Sequence, residues 1–233
     1  PTRPATLPAG RKLKPGRAGM RSRTPMKPLL QGERTPPLSI GQYYFRELLR
    51  PGENDLTILS PGRPRAIGDV IELTGRLLDE DGHPVNGALI EIWQANAYGR
   101  YRHPLESYDS PLDPNFQGFG RCLTDESGRY RFVTIKPGPY PVPGAADWWR
   151  PPHIHFLIMA AGLVRLATEM FFPNETLNRF DLVMNDIPDP KDRRRLLAKQ
   201  VAATPRAPAG ATGFEFDIVL RGKAETPFMD EMA

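Results

Sequence analysis

Short runs in which apolar and polar residues alternate dominate the chain from residue 69 onward. Residues 69–78 (DVIELTGRLL) and 88–94 (ALIEIWQ) alternate in this way, and Asp81-Gly82 between them is a strong turn signal. These two segments therefore predict a β-hairpin. Further strands are predicted at 129–135, 153–159, 163–172 and 214–220.

Two long loops interrupt the strand pattern. Residues 96–120 and 137–152 are rich in Gly and Pro and lack strand periodicity, and long ordered loops in compact domains often carry function. Residues 190–202 (PKDRRRLLAKQVA) show the one convincing helical pattern, with Asp189 or the preceding turn as its start. Together the elements predict a mainly β fold, an antiparallel β-sandwich with long loops able to carry an active site and one or two short helices.

The charge distribution separates an N-terminal arm from the rest of the chain. Residues 1–38 are rich in Pro, Arg and Lys without periodicity, which predicts a basic extended arm, and residues 39–233 are then expected to form a single domain. Residues 1–27 carry eight Lys or Arg and no Asp or Glu, so the net charge of +4 leaves −4 for the remainder. No aromatic residues interleave with these charges, so a nucleic-acid partner is not expected.

Composition limits the remaining function classes. No apolar run reaches the length of a membrane span, so no membrane partner is expected. The single cysteine, Cys122, excludes an internal disulfide framework and favours a reducing, cytoplasmic setting. Its simplest role is that of a small packing residue.

Two histidines share a predicted strand, in the sequence His153-Ile154-His155. Because residues i and i+2 of a strand point to the same face, both imidazoles project together, while Ile154 faces the opposite layer. Two neutral imidazoles side by side are a natural start for a transition-metal site. The alternative is a pair of surface or hydrogen-bonded histidines.

Tyrosines in the upstream loops are further candidate ligands. A bound trivalent cation can deprotonate a phenol, and phenolate is a hard anionic ligand suited to ferric iron. The residues alone do not choose among the tyrosines, since each can equally be a packing aromatic. The candidates are Tyr98, Tyr101, Tyr108 and Tyr140.

Three segments resemble the intradiol ring-cleavage dioxygenase family, in the branch of the protocatechuate 3,4-dioxygenase β subunits. They are residues 93–121 (WQANAYGRYRHPLESYDSPLDPNFQGFGR), 134–141 (TIKPGPYP) and 149–156 (WRPPHIHF), and residues 216–222 (FDIVLRG) are similar as well. These motifs are long and ordered, so the resemblance is specific. It implies that residues 39–233 form one catalytic β-sandwich domain that opens a catechol ring between its two hydroxylated carbons.

The resemblance also implies a non-haem Fe(III) centre. By motif position its ligands are Tyr108, Tyr140, His153 and His155. Arg150 corresponds to the family's arginine that stabilises the carbanion-like substrate, and Tyr140 to the ligand that leaves with a catechol proton. With O₂ as co-substrate, the implied reaction converts protocatechuate (3,4-dihydroxybenzoate) to 3-carboxy-cis,cis-muconate in the β-ketoadipate route of aromatic catabolism.

Several positions depart from the family pattern and bear on the substrate. Met26 stands near the place where a family tyrosine helps to hold the substrate carboxylate. Val142 replaces a frequent Trp, and an additional Trp148 precedes Trp149. Glu169 aligns with a Gln, and an anion there would repel a substrate carboxylate unless it is protonated or turned away. The expected substrate-pocket residues are Val142, Trp149 and Glu169.

Two alternatives stay open, the first because of these departures and the second because the predicted hairpin 69–94 alone would suit it. One is intradiol cleavage of another substituted catechol, such as 4-sulfocatechol, hydroxyquinol or a halocatechol. The other, of a different class, is a non-catalytic transthyretin-like binding module. The resemblance further implies a homologous α subunit, or a homo-oligomer, as the protein partner.

Overall fold

The computed structural model describes residues 20–21, 49–145, 147–160 and 166–229. Of the predicted basic arm (1–38), only Met20–Arg21 lies within these ranges, as a two-residue strand. The rest of the arm, residues 39–48 and the position of Met26 lie outside the described residues.

Strands are the main regular structure of the described chain, and the helices between them are short. The strands are β1 (Met20–Arg21), β2 (Val70–Leu78), β3 (Leu89–Trp93), β4 (Phe119–Leu123), β5 (Arg129–Ile135), β6 (Tyr140–Pro141), β7 (Trp149–Arg150), β8 (His153–Met159), β9 (Leu166–Phe171), β10 (Lys199–Val201), β11 (Thr212–Glu215), β12 (Ile218–Val219) and β13 (Phe228–Met229). A 3₁₀ helix spans Thr176–Phe180, and two α-helices follow, α1 (Leu182–Asn185) and α2 (Pro190–Arg194). None of the helices described is long and apolar enough to cross a membrane.

Two large sheets pack around one core, which confirms the predicted mainly β sandwich. The first sheet has the strand order β1-β13-β9-β8-β3-β4. The second has β2 at its centre, flanked on one edge by β5 and on the other by β11 and β12, with β10 outside β11. Burial of each large apolar side chain stabilises the fold by roughly 1.5–3 kcal/mol. Both sheets contribute such side chains to the core, among them Ile90, Ile92, Ile154, Phe156, Ile71, Leu73 and Phe132.

The predicted hairpin between residues 69–78 and 88–94 is wrong. β2 pairs antiparallel with β5, whereas β3 pairs with β4 and β8 in the other sheet. After the turn at 79–82, a single bridge between Leu78 and Pro84 is followed by a crossing to the first sheet. The sandwich is also not purely antiparallel, because β11 and β12 run parallel to β2.

The predicted helix 190–202 is too long. Asp189 caps α2 by accepting a hydrogen bond from the Lys191 backbone N–H, as expected, but the helix ends at Arg194. The following residues bond to the end of β9 instead: Phe171 N donates to the Leu196 carbonyl at 2.8 Å. Lys199–Val201 then forms β10, so pairing with strands overrides local helix propensity here.

The remaining strand predictions agree with the structure to different degrees. β5 and β8 have the predicted bounds. β9 covers Leu166–Phe171, and residues 163–165 of that prediction lie outside the described residues. The predicted strand 214–220 is divided into β11 and β12.

Candidate metal centre

β8 presents two imidazoles on one face of the first sheet. Ile154 and Phe156 alternate with them and are fully buried in the core on the other face. The Nε2 atoms of His153 and His155 lie 3.2 Å apart. The strand geometry predicted from the sequence therefore brings the two histidines together as expected.

Each imidazole is held by a different neighbour. His153 Nδ1 lies 2.7 Å from the Pro151 carbonyl oxygen, which can only accept, so Nδ1 carries the proton and Nε2 is free to bind a cation. The His155 ring stacks on Trp93 of β3, with centroids 4.8 Å apart and planes 2° from parallel. Burial lowers the pKa of His153 to about 3 and that of His155 to about 4. Both rings are therefore neutral at pH 7, the form that binds metals.

Two phenol oxygens approach the imidazole pair. Tyr140 Oη lies 3.4 Å from His153 Nε2, and Tyr101 Oη lies 3.1 Å from His155 Nε2. Burial raises the pKa of Tyr140, and it raises the pKa of Tyr101 well above its ordinary value. Both groups are therefore neutral phenols unless a strongly polarising cation ionises them.

Tyr108, the ligand expected from motif position, is not brought to this cluster. Its ring lies edge-on against Trp149, with centroids 6.1 Å apart, and Trp149 is 41 % exposed. Tyr101 occupies the place expected for Tyr108. Of the three tyrosines in the segment 93–121, Tyr98 comes first after β3 but is 41 % exposed, Tyr101 contacts His155, and Tyr108 lies further along the loop.

Backbone contacts hold the segments that carry Tyr101 and Tyr140 against each other. Asn96, three residues after the end of β3, accepts hydrogen bonds on its carbonyl from Gly99 N and Gly138 N, at 3.0 and 2.9 Å. A Cβ at Gly99 would come within 2.1 Å of the Pro139 carbonyl oxygen, and the φ of Gly99 is 77°. Only glycine allows this contact, so the tight crossing holds Tyr101 and Tyr140 in place.

The four donor atoms suit one shared cation. Two ligands at about 2.1 Å from a first-row metal and at right angles to each other lie about 3 Å apart, close to the 3.1–3.4 Å separations between these atoms. His153, His155 and Glu169 form another compact group of possible ligands. However, Glu169 Oε1 lies 3.3 Å from Nδ1 of His155, behind the ring edge that faces the phenols. We therefore assign Glu169 to the surroundings of the centre.

A buried cluster of one cation and two anions adjoins the histidines, and we call it the ion triad: Arg150, Glu169 and Asp181. Arg150 Nε donates to Asp181 Oδ2 at 2.7 Å, and Nη2 donates to Glu169 Oε2. Burial opposes the charge of Arg150, but the two carboxylates outweigh it and raise the pKa of Arg150. Burial likewise opposes the charge of Glu169, but the imidazoles and Arg150 lower the pKa of Glu169 to about 2. Glu169 is therefore an anion facing Arg150.

The other expected residues lie outside the donor cluster. Val142 is half-buried and donates its backbone N–H to the Trp148 carbonyl at 2.9 Å, within the loop that joins β6 to β7. Cys122 of β4 is half-buried against the core, and burial raises the pKa of its thiol to about 12. A thiol with such a pKa is a packing group, as predicted.

Known proteins similar to this chain share one family. The family described as Dioxygenase matches residues 40–222. The chain is 42 % identical over 228 residues to the protocatechuate 3,4-dioxygenase β chain of Burkholderia cepacia, covering 97 % of this chain and 94 % of that one. It is 35 % identical over 171 residues to the α chain of the enzyme with the same name from Pseudomonas putida, covering 72 % and 79 %. The crystal structure of 3-chlorocatechol 1,2-dioxygenase from Rhodococcus opacus 1CP aligns with a TM-score of 0.53 at 26 % identity, covering 72 % of this chain and 64 % of that chain. This chain therefore belongs to the intradiol ring-cleavage dioxygenase family.

Proposed function

We propose that this chain is the metal-bearing subunit of an enzyme that cleaves protocatechuate with O₂ to 3-carboxy-cis,cis-muconate. The observation that carries the proposal is the convergence of Tyr101, Tyr140, His153 and His155 on one point. A binding module of the transthyretin type has no need for two phenols and two neutral imidazoles joined by successive contacts of 3.1–3.4 Å.

The cofactor that best fits these donors is non-haem Fe(III). Structural zinc is usually held by thiolate and imidazole, whereas phenolate is a hard anion suited to a trivalent ion. Tyr101 and Tyr140 would bind as phenolates, and His153 and His155 through Nε2. When bound, ferric iron draws electron density from a chelated catecholate and makes the ring reactive toward O₂.

Tyr140 is the proposed proton acceptor for the substrate. It lies on β6 directly opposite Arg150 of β7, and the positive charge of Arg150 opposes the rise that burial causes in the pKa of Tyr140. Burial raises the pKa of Tyr140, which favours its neutral phenol once a catechol hydroxyl supplies a proton. Tyr101 would then remain the phenolate that anchors the centre.

Arg150 is the proposed stabiliser of negative charge on the substrate. The ion triad fixes its Nε and Nη2, and Nη1 makes no hydrogen bond to any residue that the structure describes. A guanidinium stays charged at all working pH values, so a positioned Nη1 can stabilise charge that develops on the ring.

The substrate assignment rests on the 42 % identity to a protocatechuate enzyme. One oxygen of Glu169, Oε2, is bonded to Arg150, which reduces the repulsion that this anion exerts on a substrate carboxylate. The triad as a whole still has one more negative than positive charge, which favours the alternative of a catechol whose ring substituent is neutral, such as hydroxyquinol. Oxygen uptake with protocatechuate, catechol, hydroxyquinol, a halocatechol and 4-sulfocatechol separates these cases. Faster turnover of any of the other four than of protocatechuate would overturn the proposed substrate.

The protein partner follows from the same similarities. Because both α and β chains of protocatechuate 3,4-dioxygenases are similar to this chain, we propose that it assembles with a homologous α subunit, or failing that with itself, in the cytoplasm. Light scattering of the chain alone, and co-purification from its source cells, distinguish the two assemblies.

Two matched variants test the metal centre, Tyr101→Phe and Tyr108→Phe. The purified wild-type protein should contain iron and show a visible phenolate-to-iron charge-transfer band. We expect Tyr101→Phe to lose iron or shift the band strongly, whereas Tyr108→Phe keeps both. A folded wild-type protein without bound iron, or a Tyr108→Phe variant that alone loses the band, would refute the assignment.

A further inference from the structure

Glu169 of β9 has two carboxylate oxygens in unlike surroundings. It is fully buried and lies directly opposite His155 in the β8–β9 pairing. Oε2 accepts a hydrogen bond from Arg150. Oε1 is buried and accepts no hydrogen bond from the described residues, and it lies 3.3 Å from His155 Nδ1. A buried carboxylate oxygen without a donor is costly, so Oε1 marks a place where a donor belongs.

Metal binding at His155 supplies that donor. When Nε2 of an imidazole binds a cation, the proton of the neutral ring must reside on Nδ1. The Nδ1–H of His155 then meets Oε1 of Glu169, and a small rotation of the carboxylate aligns the two. Ligand histidines commonly donate their second N–H to a carboxylate or a carbonyl, which fixes the ring and raises its basicity.

The two histidines therefore have partners of different charge. His153 donates to the neutral carbonyl of Pro151, whereas His155 faces the anionic Glu169. A carboxylate partner makes an imidazole more electron-rich than a carbonyl partner does. Glu169 also connects His155 to Arg150, the residue proposed to face the substrate.

We propose that Glu169 is a positioning residue that accepts the Nδ1–H of His155 and makes this histidine the stronger electron donor to the metal. The proposal rests on the proposed iron centre. Glu169 lowers the reduction potential of the centre and stabilises its ferric form, because its negative charge is retained beside the ligand.

A purely structural role for Glu169 makes a different prediction. If Glu169 only balanced Arg150, removing the other anion of the ion triad should affect the metal equally. Asp181 contacts Arg150 through Oδ2 and caps α1 through Oδ1, which accepts from Met184 N at 2.8 Å. Asp181→Asn therefore perturbs Arg150 without touching His155.

The test compares Glu169→Gln with Asp181→Asn and with the control Glu72→Gln, all as iron-loaded proteins. Glu72 is also a buried glutamate paired with an arginine, but it lies on β2 in the other sheet. We expect Glu169→Gln alone to shift the charge-transfer band to longer wavelength, raise the ferric/ferrous midpoint potential and weaken iron affinity about tenfold. A band and potential equal to those of Glu72→Gln, or the same shift in Asp181→Asn, would overturn the proposal.

A measurement on the wild-type protein keeps the proposal testable if Glu169→Gln does not fold. Protein labelled with ¹⁵N-histidine and loaded with Ga³⁺, a diamagnetic substitute for Fe³⁺, should give two slowly exchanging Nδ1–H signals. The His155 signal should lie further downfield than that of His153, because its acceptor is charged. Rapid solvent exchange at His155 would contradict the proposal, whereas absence of metal binding or of catechol turnover would contradict the proposed function instead.

Discussion

Replacing Arg150 with Met removes the only positive charge of the ion triad and retains much of its apolar stem. The Arg150 side chain is 9 % exposed, that of Glu169 1 % and that of Asp181 0 %. The variant would leave two carboxylates buried side by side without a cation. Breaking a buried ion pair by removing one partner typically costs about 3–5 kcal/mol.

We expect Arg150→Met to lower the free energy of unfolding by about 3–5 kcal/mol and to abolish turnover. Arg131→Met is the matched control, because Arg131 pairs with the buried Glu72 at 2.6 Å but is 29 % exposed. Glu72 would keep two hydrogen bonds from Thr204, at 2.6 and 2.7 Å. The free energy of unfolding of Arg131→Met should therefore fall by only about 1.5–3 kcal/mol, the range for a hydrogen bond to a charged group.

Urea denaturation of the iron-loaded proteins, followed by far-ultraviolet circular dichroism and tryptophan fluorescence, measures both losses. The triple variant Arg150→Met, Glu169→Gln, Asp181→Asn removes all three charges and should regain part of the stability that Arg150→Met loses. A loss below about 1 kcal/mol for Arg150→Met, or a larger loss for Arg131→Met, would refute the reasoning that the triad is held by its buried charges.

Three other expectations follow from the contacts described. Gly99→Ala should lower the free energy of unfolding by about 1–3 kcal/mol and reduce the iron content, because the added Cβ would clash with the Pro139 carbonyl. Thermal melting and iron analysis measure the two effects, and no change in either would contradict the tight crossing of the loops. Burial alone would raise the pKa of Glu72, but the hydrogen bonds from Thr204 and Arg131 hold this pKa below its ordinary 4.5. The Glu72 carboxylate therefore stabilises the fold above about pH 4.5, and this stabilisation is lost as the pH falls through the lower pKa of the folded state. Acid titration should therefore show a shallower loss of stability for Glu72→Gln than for wild type, and parallel curves would refute this. Removal of iron with a chelator should bleach the visible band and lower the melting temperature, because a bound ion stabilises only the folded state; an unchanged melting temperature would contradict this.

The alternation of apolar and polar residues was sufficient to predict features that depend on a single strand. The alternation in His153–Met159 fixes which side chains share a face, so the imidazole pair followed from the sequence. The bounds of β5 followed in the same way. Alternation does not say which strand becomes the neighbour, however, and β2 and β3 therefore entered different sheets.

Tertiary contacts decided the remaining features. The helical pattern of 190–202 ends at Arg194 because Leu196 and its neighbours pair with the end of β9. The choice of Tyr101 over Tyr108 depends on the crossing of two glycine-containing loops, and that crossing joins segments about 40 residues apart in the chain. The ion triad likewise joins β7, β9 and the start of α1, and no periodicity could reveal it.

The parallel pairing of β2 with β11 and β12 has a consequence for how the chain folds. The hydrogen bond from Arg76 N to Asp217 Oδ1 joins residues 141 positions apart. At a synthesis rate of about 5–20 residues per second, β2 waits on the order of ten seconds for these partners. β8 and β9, which carry the histidines and Glu169, pair with only a short connection between them. β2 and β5 precede β8 in the chain and can cover the apolar face of that sheet early, but one edge of β2 stays unpaired until β11 and β12 arrive, because contacts distant in sequence form slowly. The newly made chain is therefore most prone to aggregate at that stage, before β11 and β12 complete the second sheet.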